Sequence, residues 1–106
     1  MGDKIPGPYN QLKQNHPDFI GAYEQLGNAA KKAGPLSEKE AQLIQLAAAA
    51  AIRSEGSVHS HCRRAIEAGA TTAEIRHTLM LLVSTIGFST MVAALTWVED
   101  IFAGSD

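Results

Sequence analysis

The sequence predicts an all-α protein, and three observations support this fold class. Apolar residues recur at intervals of three and four along most of the 106 residues, which is the period of an amphipathic helix. Two capping boxes, in which Ser37 precedes Glu40 and Thr71 precedes Glu74, mark helix beginnings. No segment shows the alternation of apolar and polar residues that is typical of a strand. We therefore expect five or six helices in a single domain spanning residues 1–106.

The N-terminal part, about residues 1–35, is expected to form a helical extension. A short helical turn is expected before Asn15, and a longer helix begins at Pro17, because proline suits the first helical position. Either Asn15 or His16 caps this helix, and the Gly-Pro pair at 34–35 ends it. Its apolar residues recur at helical spacing: Phe19, Tyr23, Leu26 and Ala30.

The next two helices are separated by a glycine. The segment "LSEKEAQLIQLAAAAAI" begins at the Ser37 capping box, and its alanines let neighbouring helices approach closely. We therefore expect it at the centre of the bundle. Gly56 is expected to end this region, with Ser57 as the N-cap of the following helix. That following helix is expected to end at Gly69.

Two further helices complete the predicted bundle. The first begins at the Thr71 capping box and runs to Gly87, which breaks it. The second is "FSTMVAALTWVEDIFAG", in which we expect Trp97 to lie in the core. The residues in register on the buried faces are Ile75, Leu79, Leu82 and Ile86 in the first helix, and Met91, Leu95, Val98 and Phe102 in the second.

Charge and hydropathy argue against several kinds of partner. The net charge of −2 at pH 7 argues against a nucleic-acid partner, and the basic pairs at 31–32 and 63–64 are interpreted as solvated faces. The longest apolar run, Leu46–Ile52, is too short to span a bilayer. The first ten residues lack the apolar segment of a secretory signal. We expect a cytoplasmic protein with no membrane partner.

Size and composition favour self-association. Only 6% of the residues are aromatic, although 45% are hydrophobic, so the core is filled mostly by small and aliphatic side chains. A core of this kind in so short a chain is marginal on its own. We therefore expect a homo-oligomer.

The stretch "RSEGSVHSHCRRAIEAGAT", residues 53–71, contains candidate catalytic residues. Ser54, Ser57 and His61 are spaced at i, i+3 and i+7. On a helix that begins near Ser57, His61 points to the apolar side with Ser57 one turn before it, whereas His59 points to water. Two interpretations remain open: a helix cap beside a core histidine, or a proton-transfer site. The two histidines diverge and cannot share a metal, so no metal or other cofactor is expected.

The order of these features resembles the carboxymuconolactone decarboxylase family, which includes the alkylhydroperoxidase-D-like proteins. The resemblance is carried by the alanine-rich segment, then His61, Ala65 and Gly69–Thr71, then "AEI" at Ala73–Ile75. It covers about the C-terminal two-thirds of the chain. It implies an alkylhydroperoxidase-D-like helical bundle that assembles as a homo-oligomer, a trimer or a hexamer, and acts on or binds a small molecule.

The chain departs from the family's peroxidase branch at three positions. That branch carries a glutamate and then C-x-x-C-x-x-x-H, and aligning its histidine with His61 places the cysteines at Ser54 and Ser57 and the glutamate at Gln42. Serine cannot form a disulfide, so a dithiol cycle through this pair is excluded. A neutral amide cannot act as a general base either. Of the four residues of that signature, only His61 is retained.

Three functions are compatible with this pattern. The first is a cofactor-free enzyme of the decarboxylase type, in which His61 transfers a proton on a small carboxylate or lactone. In this hypothesis Ser57 orients His61, Gln42 binds polar atoms of the substrate, and Arg53 or Arg64 pairs with its carboxylate.

The second and third hypotheses do not use that proton transfer. Cys62, the single cysteine, cannot form an intramolecular disulfide, but it could support residual peroxidase or peroxiredoxin-type activity if Arg63 or Arg64 favoured its thiolate. A half-buried structural thiol is the simpler interpretation of this residue. In the third hypothesis the chain is a non-catalytic oligomeric scaffold or small-molecule binder, and His61 belongs to a buried polar network.

Overall fold

The computed structural model describes residues 7–104, and every regular element within them is a helix. The all-α prediction is therefore confirmed for this part of the chain. The helices are α1 (Pro8–Asn15), α2 (Pro17–Lys32), α3 (Glu38–Ala51), α4 (Glu55–Glu67), α5 (Thr72–Met80), α6 (Val83–Ile86, a single turn) and α7 (Phe88–Phe102).

The chain divides into two compact units, Met1–Pro35 and Leu36–Asp106. In the N-terminal unit α1 and α2 contact each other, and the Tyr9 hydroxyl donates a hydrogen bond to the Glu24 carboxylate. His16 is the N-cap residue of α2, although its side chain makes no capping bond. Ile20 is the buried residue of this helix. Three members of the expected stripe are instead more than 60% exposed: Phe19, Tyr23 and Leu26.

The core of the C-terminal unit forms where α3, α4, α5 and α7 contact one another. Both predicted capping boxes are present, at Ser37 with Glu40 and at Thr71 with Glu74. α7 begins after Gly87, as expected, and Trp97 packs against the core. The buried core residues are Leu46, Ala49, Ala50, Val58, Cys62, Ala65, Ala70, Ile75, Leu79, Ala94 and Val98.

The connection from α3 to α4 differs from the prediction. α3 ends at Ala51, and Arg53 adopts a left-handed conformation with φ of 59°. The Ser54 backbone N–H then bonds to the Ala49 carbonyl at 3.0 Å, which closes a Schellman-type helix end. Ser54 is also the N-cap of α4, so the expected stop at Gly56 and the expected cap at Ser57 were both wrong.

The helix that follows the Thr71 capping box is shorter than predicted. α5 ends at Met80, because the chain tightens there: the Leu82 N–H bonds to the Leu79 carbonyl, three residues back, instead of four. The single turn α6 then leads to Gly87. Among the described residues, no helix combines the length and the hydrophobicity that a bilayer span requires.

Candidate functional site

The candidate site lies where α4 passes α3. The His61 ring nitrogen Nδ1 is 2.8 Å from Oε1 of Gln42, which is a hydrogen-bonding distance. His61 is half-buried, whereas Gln42 has no solvent exposure. A fully buried amide is costly unless its polar atoms are hydrogen-bonded. The contact therefore satisfies Gln42 and at the same time orients the imidazole ring.

Glu38 extends this contact to the surface. The Gln42 amide nitrogen donates a hydrogen bond to the Glu38 carboxylate at 2.8 Å. Glu38 lies four residues before Gln42, so the two side chains are neighbours on one face of α3. We call Glu38, Gln42 and His61 the amide relay. Sequence reasoning did not select Glu38, although its i, i+4 spacing from Gln42 was a usable signal.

The two serines of the predicted motif contribute to the start of α4. The Ser54 hydroxyl accepts a hydrogen bond from the Ser57 backbone N–H at 3.4 Å, which satisfies one donor of the first helical turn. Ser57 lies within that first turn, one turn before His61. The hydrogen-bond partner of His61 Nδ1 is the Oε1 atom of Gln42 on the neighbouring helix and not Ser57.

The two candidate arginines have different surroundings. The Arg53 guanidinium donates a hydrogen bond to the Thr90 hydroxyl, which links the α3–α4 connection to α7. Arg64 is exposed and lies three residues after His61, on the neighbouring face of α4.

Cys62 is more deeply buried than the sequence suggested. Its side chain has no solvent exposure and belongs to the core cluster with Val58 and Ala65. Burial raises the pKa of the Cys62 thiol to about 11, a rise that Arg63 opposes only partly. At neutral pH the group is therefore a thiol and not the nucleophilic thiolate.

His59 corrects a second expectation. Its side chain is only 18% exposed and its Nε2 atom is buried, so the prediction that it points to water was wrong. The physical reason is that α4 packs against α3, α5 and α7, which leaves little of its circumference to solvent. Nε2 lies 3.9 Å from the Glu55 carboxylate, too far for a hydrogen bond. His59 and His61 diverge on the helix.

An apolar groove lies on another side of α3, between α3 and α5. Its volume is about 350 Å³. The polar side chains in its wall already have bonds, because Glu40 caps α3 and the Thr78 hydroxyl donates to the Glu74 carbonyl. We call it the α3–α5 groove, and its lining residues are Leu36, Glu40, Leu43, Ile44, Ala47, Thr78, Leu81 and Leu82.

Comparisons with known proteins place this fold in a family. The chain is similar to the crystal structure of an apo carboxymuconolactone decarboxylase family protein from Legionella pneumophila, with 26% sequence identity and a TM-score of 0.78. That similarity covers 92% of this chain and 87% of the other. No curated protein matches the sequence. The model of the carboxymuconolactone decarboxylase family matches residues 17–100, which include the whole amide relay. The chain therefore belongs to the carboxymuconolactone decarboxylase family.

Proposed function

We propose that this chain is a cofactor-free acid–base enzyme whose substrate is a small carboxylate or lactone, with His61 as the proton-transferring residue. The observation that carries the proposal is the 2.8 Å bond between His61 Nδ1 and the buried Gln42 amide. A catalytic histidine needs one ring nitrogen held by the protein and the other directed to the reaction. Gln42 provides the first of these requirements.

The chemistry that fits such a site is decarboxylation beside a lactone carbonyl. The bond from the ring carbon to the carboxylate carbon breaks and CO2 leaves. The electron pair delocalises into the carbonyl group, and a carbon atom of this anion takes a proton from the His61 imidazolium. A proton taken up from solvent then restores the imidazolium, so that the overall reaction consumes one proton and releases one CO2. Positioned general acids of this kind contribute about 10²–10⁴-fold to a rate.

Binding of the substrate carboxylate is assigned to Arg64. Its exposed guanidinium lies on the face of α4 next to His61, and guanidinium groups bind carboxylates in a bidentate manner. Arg53 is the weaker candidate for this role, because its guanidinium already donates to Thr90.

The burial of Cys62 argues against a peroxidase reaction. A peroxidatic cysteine must reach peroxide as a thiolate, but the Cys62 side chain is fully buried and its thiol pKa is raised to about 11. The proton-transfer reaction requires neither an exposed thiol nor a second cysteine.

The test compares His61→Asn with His59→Asn on a panel of small lactones and carboxylates. His59 is the matched control, because it is the same residue type on the same helix and its Nε2 atom has no hydrogen-bond partner. We expect H61N to lower kcat/KM by at least about 100-fold and H59N to leave it near the wild-type value. Equal turnover by H61N and wild type would refute the proposal. Ligand binding without turnover by the wild type would identify a binding protein instead.

Self-association is part of the same proposal, with a second copy of the chain covering the α3–α5 groove. Three of its lining residues are more than half exposed: Leu36, Ile44 and Leu81. Contiguous apolar surface of this kind marks interaction sites in soluble proteins. A closed assembly of identical chains is the commonest way to bury it.

A further inference from the structure

We propose that Glu38 sets the tautomer of His61 through the Gln42 amide, so that Nδ1 carries the proton and Nε2 is the basic nitrogen. Glu38 is then a positioning residue, since it acts on His61 through Gln42. Its catalytic consequence rests on the proposed function, but the tautomer itself can be measured without any substrate.

The amide relay consists of two short hydrogen bonds in series. Gln42 Nε2 lies 2.8 Å from the Glu38 carboxylate, and Gln42 Oε1 lies 2.8 Å from His61 Nδ1. The amide between them has no solvent exposure. Water therefore cannot replace either partner without a rearrangement of the site, and the direction of each bond depends on the other.

The donor and acceptor roles follow from the chemistry of the three groups. A carboxylate has only acceptor atoms, so the amide NH2 of Gln42 must face Glu38. The amide oxygen, which can only accept, then faces the ring of His61. Nδ1 must therefore be the N–H nitrogen. In a neutral imidazole this leaves the lone pair on Nε2.

The same arrangement allows the ring to become positively charged. Both nitrogens of an imidazolium are donors, and the Gln42 oxygen can accept from Nδ1–H in either charge state. If the amide rotated by half a turn, its NH2 group would face the ring instead. Nδ1 would then have to accept, and the imidazolium would place two donors against each other. Glu38 therefore keeps His61 able both to accept a proton at Nε2 and to donate it.

The direct test is the tautomer of His61, measured by long-range 1H–15N NMR on histidine-labelled protein at a pH where the ring is neutral. The H61N variant assigns the signal. In the wild type we expect Nδ1 to be protonated, although the side chain of free histidine prefers the Nε2–H form. Glu38→Gln, whose amide can donate or accept, should give a mixture. Glu38→Lys, which can only donate, should favour the Nε2–H form.

Glu40→Gln is the matched control. It removes one negative charge from the same turn of α3, but Glu40 has no bond to Gln42, so the tautomer should remain that of the wild type.

For E38Q we also expect kcat to fall about tenfold at an unchanged KM, as for other residues that orient a reacting group. Glu38 is exposed, so its variants should fold, which far-UV circular dichroism checks.

Two results would overturn the inference: a wild-type ring mainly in the Nε2–H form, or E38Q and E38K spectra equal to that of the wild type. If either occurs while H61N still loses turnover, the proposed function stands and the role of Glu38 fails. If the tautomers change as expected but no substrate is turned over, the inference stands and the proposed function fails.

Discussion

Two sides of helix α3 reverse the usual distribution of side chains, in which apolar residues are buried and polar residues are exposed. On one side the polar residue Gln42 is fully buried, whereas on another the apolar Ile44 is 54% exposed. Burial of a polar side chain and exposure of a large apolar one are the informative exceptions to the usual distribution. The first marks the amide relay, and the second marks the α3–α5 groove. A buried polar residue and an exposed apolar residue on one helix therefore identify two different surfaces.

The largest effect is expected from removing the buried polar group. Gln42→Leu removes both hydrogen bonds of the buried amide, to Glu38 and to His61, and each such bond contributes about 0.5–1.5 kcal/mol. We expect the free energy of unfolding, measured in urea, to fall by the sum of the two contributions.

Gln45→Leu is the matched control for this change. Gln45 lies on the same helix, and its Oε1 atom is buried without a hydrogen-bond partner. Replacing a group that is already unsatisfied should leave stability unchanged or slightly increased. If Q42L and Q45L lose equal stability, the distinction between the amide relay and the rest of α3 is wrong.

A charge introduced into the α3–α5 groove should have a smaller effect on the stability of the folded monomer. Its effect on self-association should be large. Leu81→Lys should change the stability of the monomer by no more than about 0.5 kcal/mol, because the side chain is exposed. It should nevertheless lower the molecular mass in sedimentation experiments, since an interface does not tolerate a buried unpaired ammonium group. Ile66→Lys, an exposed position on α4 outside the groove, should leave the mass as in the wild type. A wild-type protein that sediments as a monomer would contradict the assignment of the groove to self-association.

The smallest effect is expected on the pH dependence of stability, through the capping boxes at the exposed N-terminal ends of α3 and α5. The Ser37 backbone lowers the pKa of Glu40, and the Thr71 backbone, with Lys39, lowers that of Glu74. Because the pKa is lower in the folded state, the stabilisation is complete above the ordinary value of 4.5 and is lost as the pH falls below it. Urea midpoints should therefore decrease below this pH, and less steeply in Glu74→Gln. Glu67→Gln, outside both capping boxes, should follow the wild-type curve.

Much of the fold could be predicted because its signals are local. The capping boxes at Ser37 and Thr71 and the break at Gly87 depend on residues close in sequence, and all three are present. The end of α3 was not predictable in the same way. Its left-handed position is occupied by Arg53 and not by glycine, so the usual signal for such an end is absent.

The site could be predicted only in part, because its contacts join separate segments. The family resemblance selected His61 and Gln42, which the fold brings together across α3 and α4. Helical arithmetic gives the angle of each side chain on α4, but it does not tell how many neighbouring helices cover it, so the burial of His59 was missed. Glu38 was missed for a different reason. Its i, i+4 spacing from Gln42 is visible in the sequence, but the importance of their hydrogen bond depends on the burial of Gln42, which is a property of the packed structure.

The complete burial of Cys62 makes its thiol a probe of transient opening of the core. Cys62 is the single cysteine of the chain, so a thiol-specific label has one target. Because its side chain has no contact with solvent, the label can reach it only when α4 separates transiently from the helices around it. The speed of labelling would therefore count openings of the helix that bears His61. A ligand that settles beside His61 and holds α4 in place would make those openings rarer.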